Sequence, residues 1–176
     1  MGKIVSDLML LAEIDGTLSN TADGTAQVDD VLKAIVTQYQ PKCHAKGIVI
    51  ELIRCQELRV LVSKESLQRI VSNLIENAWR YTDSGGKIRL SAEQLNAFGK
   101  IVVEDTGIGI PAESLPLIFD RFYRVDKSRS RASGGSGLGL SIVKALVDSH
   151  RGLIQVTSKL GQGTVVSVLL HIAPNT

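Results

Sequence analysis

Gly134-Gly135-Ser136-Gly137-Leu138-Gly139-Leu140 runs without a break into Leu140, Val143, Leu146 and Val147, an apolar stripe at helical spacing. The first-turn N–H groups of a helix have no intrahelical partner and sit at the positive end of its dipole. Glycines just before that turn let those groups face an anion at close range. A flexible linker of the same composition would not pass at once into an apolar helix. The segment therefore predicts a helix over 137–149 whose start is an anion site.

Two further segments precede it. Lys64–Arg80 predicts a helix capped by Ser63, with Glu65 in its first turn. Leu67, Val71, Leu74, Ile75 and Ala78 form its core stripe, and Asn73, Asn77 and Arg80 form a second stripe beside it. Asp105 ends the apolar strand Ile101-Val102-Val103-Glu104 and is followed by Thr106-Gly107-Ile108-Gly109-Ile110-Pro111. A carboxylate there can accept a hydrogen bond from an exocyclic amine such as adenine's and repels the carbonyl oxygen that guanine offers instead. Alone, Asp105 reads equally well as a strand-end turn, and the two asparagines as solvent-facing amides. Gly107 to Ala112 also imitates a dinucleotide fingerprint, but the acidic residue wanted about twenty positions on is replaced by the basic stretch Lys127–Arg131.

Together, the asparagine helix, Asp105-Thr106-Gly107-Ile108-Gly109, Phe119-Asp120-Arg121-Phe122-Tyr123-Arg124 and the third glycine segment resemble the ATP-binding catalytic domain of bacterial two-component sensor histidine kinases. The likeness covers roughly residues 25–172. It implies the Bergerat ATP-binding fold, a two-layer α/β sandwich with one mixed sheet and three main helices on one face. The expected elements agree: helices over 3–14, 29–46, 64–80 and 137–149, and strands over 48–54, 59–62, 87–93, 100–104, 153–158 and 164–171. Pro41 predicts a bend or early end of the second helix. The stretch 106–135, long for a connector, reads as an ATP lid. Residues 1–24 then resemble the end of the second helix of a dimerisation hairpin plus a linker, and 25–176 the ATP-binding domain.

The resemblance assigns roles residue by residue. Asn77 is the expected Mg²⁺ ligand, a neutral oxygen donor beside a triphosphate. Asn73, Arg80, Tyr81, Asp105, Gly107, Gly109, Ile110, Tyr123, Arg124, Lys127, Arg129, Gly135, Ser136, Gly137, Leu138, Gly139, Leu140 and Thr164 are the expected ATP-binding residues. The basic residues Arg124, Lys127 and Arg129 are expected to face phosphate, and Thr164 is similar to a family residue near the phosphates. Asn73 and Arg129 are the expected catalytic residues. In the ATP-hydrolysing relatives the position of Asn73 resembles a Glu that activates water. Asn cannot take a proton, so the resemblance implies transfer to an external imidazole. Glu76 is about 100° away around the helix and a poor substitute.

The implied reaction is γ-phosphoryl transfer from Mg·ATP to a histidine on the dimerisation domain, then to a response-regulator aspartate. None of His44, His150 or His171 sits in the family's acceptor motif, so the histidine is expected outside this chain. An ATPase or serine kinase of the same fold, or a nucleotide-sensing module without chemistry, stays open as an alternative. A net charge of +2 argues against nucleic acid as a partner. Cys43 and Cys55 lack metal or redox spacing and read as free thiols. A cytoplasmic location, a homodimeric parent and a monomeric isolated chain complete the expectation.

Overall fold

In the computed structural model, which describes residues 2–16, 24–125 and 136–174, alternation decides the sheet. Ile88, Leu90 and Ala92 are buried on β4 (Lys87–Leu95), as are Ile101 and Val103 on β5 (Phe98–Asp105). With Val166, Val168 and Leu170 they make one apolar face. Arg89, on the other face, pairs across strands with Glu51 at 3.2 Å and Glu104 at 3.6 Å. The five-stranded sheet runs β2 (Val49–Cys55), β4, β5, β7 (Gly163–His171), β6 (Leu153–Lys159). Only β2 and β4 are parallel; α3 (Lys64–Tyr81) lies in the crossover between them. The remaining pairs are antiparallel.

Helices α2 (Val28–Ala45), α3 and α4 (Gly139–Ser149) cover the apolar face, giving the expected two-layer sandwich. Their buried residues include Leu32, Ile35, Leu67, Ile70, Leu74, Ile142 and Val143. Helix α1 (Gly2–Gly16) packs on α4 and sinks Leu11 into the same core, while Ile4, Val5, Leu8 and Met9 stay exposed. Among the described residues, no helix is long and apolar enough to cross a membrane. Cys43 is buried and Cys55 half-buried, both as free thiols.

Four differences from the sequence reading have local causes. Helix α2 passes through Pro41 to Ala45. The lost N–H falls near its end, where Lys46, Gly47 and Ile48 bond back to the carbonyls of Cys43 and His44. A two-residue strand β1 (Ala26–Gln27) pairs with β3 (Arg59–Val60). The β4–β5 connection is a tight turn with Asn96 at φ 55°, so both strands run longer than expected. Finally, the stretch after Asp105 is anchored at its start, and Ala112–Leu117 forms a 3₁₀ helix.

Helix α3 starts as expected: Ser63 Oγ accepts the Ser66 N–H at 3.1 Å. Ser63→Ala is expected to cost about 1 kcal/mol and lower the thermal midpoint by about 2–4 °C, read by circular dichroism.

Candidate nucleotide site

Asn73, Asn77 and Arg80 recur every three or four residues along α3 and so share a face. Asn73 Nδ2 donates to the Arg69 carbonyl at 2.9 Å, which engages the amide nitrogen and leaves Oδ1 to point away from the helix backbone. Gly139, the first residue of α4, lies directly over these side chains. A Cβ built there would stand 3.3 Å from Asn73 Oδ1 and 3.8 Å from both terminal atoms of Asn77. The start of α4 has no side-chain cap. Its first N–H groups are thus left for an outside acceptor beside two amides, the arrangement a phosphate needs.

Arg80 adds charge to this face. Its Nη2 stands 3.6 Å from Glu76 Oε1, while its Nε is a buried donor without a partner. A phosphate oxygen would satisfy that donor, since an unmet buried donor is costly. Glu76 also accepts from Lys42 at 2.7 Å and from the Tyr39 hydroxyl at 3.5 Å. Burial, then the neighbouring Glu76 charge, pushes the Tyr39 phenol up to about 12. Glu76 is thereby committed to a network between α2 and α3. Asn73 further lines a polar cavity between α1, α2 and α3, together with Asp7, Arg69 and Glu76.

Asp105 lies at the end of β5, between Ile88 of β4 and Thr164 of β7. Burial raises its carboxyl above the usual range, and Glu104 adds a little. The N–H groups of Gly107, at 2.8 Å from Oδ1, and of Thr164 pull the other way. The loop after it is fixed by backbone bonds. Ile108 N–H donates to the Tyr81 carbonyl at 3.0 Å, and the Ile108 carbonyl accepts from Gly161 at 2.7 Å. Gly109 lies against the Lys159 carbonyl. Ile110 N–H donates to Ser158 Oγ at 2.8 Å. The structure thus groups Thr164 with Asp105, at the end of the site where the base would lie.

The other expected residues fall into four sets. Leu138 is fully buried, so only its backbone faces the site; its N–H lies 3.3 Å from Ser136 Oγ. Gly137 accepts the Phe122 N–H at 3.0 Å and closes the two ends of the intervening segment. Leu140 is half-buried on α4, and Tyr81 is exposed at the end of α3. The Tyr123 hydroxyl donates to Ser114 Oγ at 3.0 Å, so this ring pins the 3₁₀ helix, with the half-buried Arg124 next to it. Lys127, Arg129 and Gly135 lie outside the described residues, as does the last third of the segment expected to be a lid.

Sequence reasoning missed Ser158 and the Lys42–Glu76–Arg80 network. The Ser158–Ile110 and Lys42–Glu76 contacts are tertiary; the only hint of the first was a serine five residues before Gly163.

The residues fit ATP: an uncapped helix start, an orphaned arginine donor, and a half-buried carboxylate at the far end. For a hard cation, Asn77 offers the neutral oxygen. The family described as histidine kinase-, DNA gyrase B-, and HSP90-like ATPase matches residues 62–174. Sensor histidine kinase CusS of Escherichia coli O157:H7 is 36% identical over 177 residues, covering 97% of this chain and 35% of CusS. Sensor-like histidine kinase SenX3 of Mycobacterium tuberculosis H37Rv is 36% identical over 172 residues, 97% of this chain and 42% of SenX3. This chain therefore spans well under half the length of these relatives. Among solved structures, the mycobacterial sensor histidine kinase MprB superposes with a TM-score of 0.74 at 26% identity, over 86% of this chain and 98% of that one. Full-length ShkA in complex with AMPPNP gives 0.85 at 25% identity, over 99% of this chain and 36% of that one. The chain belongs to the histidine kinase-, DNA gyrase B-, and HSP90-like ATPase family and is an ATP-binding catalytic domain of the sensor histidine kinase type.

Proposed function

We propose that this domain holds Mg·ATP between Asp105 and the start of α4 for attack by a histidine of a dimerisation domain in the parent protein. The observation that carries the reading is Gly139 lying against Asn73 and Asn77 at an uncapped helix start. Asp105 accepts from the adenine amine. The α4 N–H groups and Arg80 bind phosphate oxygens, and Asn77 supplies an oxygen to the magnesium ion. Magnesium, when bound, neutralises charge on the triphosphate. The bond from the γ-phosphorus to the β,γ-bridging oxygen breaks, a phosphorus–nitrogen bond forms to the imidazole, and ADP leaves. A response-regulator aspartate receives the phosphoryl group next.

Asn73 bears on the choice of nucleophile. It has no proton-accepting group to activate water, and its amide is already bonded to Arg69. Glu76 is held by Lys42 and Arg80 and is no base for that water. Arg129 remains a proposed contributor of positive charge on sequence grounds.

The test is transfer in trans. The chain alone, given ATP labelled at the γ-position, is expected to neither label itself nor release phosphate at an appreciable rate. Adding the cognate kinase's histidine-bearing hairpin should yield an acid-labile, base-stable label on the hairpin. High concentrations are needed, because tethering normally supplies an effective concentration on the order of millimolar. No label at such concentrations overturns the reading. Phosphate release by the chain alone, abolished by Asn77→Ala, would assign it to the ATPases of the same fold.

A further inference from the structure

We infer that Ser158 is a positioning residue that sets the base end of the nucleotide site and its preference for adenine, an inference that rests on the site reading above. Ser158 lies on β6, and its hydroxyl meets three groups from two separate segments. The Ile110 N–H donates to Oγ at 2.8 Å, Oγ donates to the Gly163 carbonyl at 2.8 Å, and Thr164 Oγ1 stands 2.9 Å away.

Counting donors fixes the direction of the third bond. A serine hydroxyl has one hydrogen and two lone pairs. The Gly163 carbonyl can only accept, so it takes the hydrogen. The Ile110 N–H can only donate, so it takes one lone pair. What is left for Thr164 is the second lone pair, and Thr164 must donate its hydroxyl hydrogen to Ser158. The Ser158 hydroxyl is then saturated, and the Thr164 oxygen keeps its own lone pairs for other donors.

That polarity matters because Thr164 stands across from Asp105 in the β5–β7 register. Its N–H also bonds the Asp105 carboxylate. With its hydrogen turned toward Ser158, the Thr164 side chain presents an acceptor beside the Asp105 carboxylate. An amine meets two acceptors there, and a carbonyl oxygen meets none of the donors it needs. Through Ile110, the same hydroxyl holds the loop that follows Asp105. Ser158 thus acts through three neighbours at once, all of them at the base end.

Alanine at 158 leaves Thr164 free to turn its hydrogen toward the ligand, where it can serve a guanine carbonyl. The test is calorimetric titration of the full chain with ADP and with GDP, each with Mg²⁺. Ser158→Ala should weaken ADP about fivefold, the worth of a net hydrogen bond. GDP should bind unchanged or better, so the ADP-to-GDP preference falls by at least that factor. Ser158→Thr keeps the hydroxyl and should restore the preference. Asn77→Ala should weaken both nucleotides alike and leave the preference unchanged. A Ser158→Ala protein that loses both nucleotides equally, or keeps the wild-type preference, overturns the inference. Should Ser158→Ala not fold, Thr164→Val removes the same bond without changing shape and is read on the same ratio; an unchanged ratio overturns the inference equally. Failure of the wild-type chain to bind ADP would instead remove the site reading on which this rests.

Discussion

Asp105→Asn is expected to weaken ATP binding by about tenfold or more while leaving the fold intact, since a buried charged hydrogen bond is worth about 1.5–3 kcal/mol. The substitution keeps the shape and removes the charge. Burial already holds the Asp105 carboxyl above its ordinary value, so folding disfavours the ionised form. The sign follows from linkage. A raised folded-state value favours folding of the protonated form, a contribution present at acid pH and lost as pH rises through that raised value. At neutral pH the ionised carboxylate is therefore a cost to stability, and Asp105→Asn should match or exceed the wild type in urea midpoint. ATP affinity should run the other way, falling in the wild type as pH drops through the raised value. Calorimetry at pH 7 and below, beside urea melts, reads both. Unchanged affinity at pH 7 would remove Asp105 from the base site.

Gly163→Ala is expected to have the largest effect on stability. Gly163 has φ +102°, and a Cβ there would fall 1.9 Å from the Asp105 carbonyl oxygen and 2.9 Å from Thr106 Cα. All of these contacts are backbone, so nothing flexible can move aside. Left-handed strain in a non-glycine residue and an overpacked contact each cost roughly 1–3 kcal/mol, and here they add. A drop of about 3 kcal/mol or more in unfolding free energy, with ATP binding lost even at low temperature, is the expected result from urea melts and calorimetry. Gly161, with open space around the Cβ position, provides the comparison: Gly161→Ala meets only the φ +76° strain and should cost much less.

The contrast between these glycines shows where sequence reading succeeds and stops. The motifs at Asn73–Thr82, Asp105–Pro111 and Gly134–Leu140 were legible because each is a local run whose spacing sets its own geometry. The core stripes of α3 and α4 and the alternation in β4, β5 and β7 were legible for the same reason. Strand β1 was not, since two residues carry no period, whereas β3 falls within the strand expected over 59–62. Helix α2 outlasted Pro41 because bonds beyond the proline, formed only in the folded chain, hold its last turn. Ser158 meets Ile110, and Lys42 meets Glu76, across long stretches of chain, so no local pattern announces either contact.

The place of β5 in the sheet has a consequence for the order in which the domain comes apart. This strand is bonded on both sides, to β4 and to β7, and Asp105 sits at its end. Fraying that begins at the outer strands β2 and β6 reaches it last. The phosphate side depends instead on the first turn of α4, where orphan amides make opening cheap. A nucleotide leaving this domain would let go of its charged tail first and its base last. Departure would then begin without disturbing the sheet, and the end of the site around Asp105 would keep its shape as the nucleotide leaves.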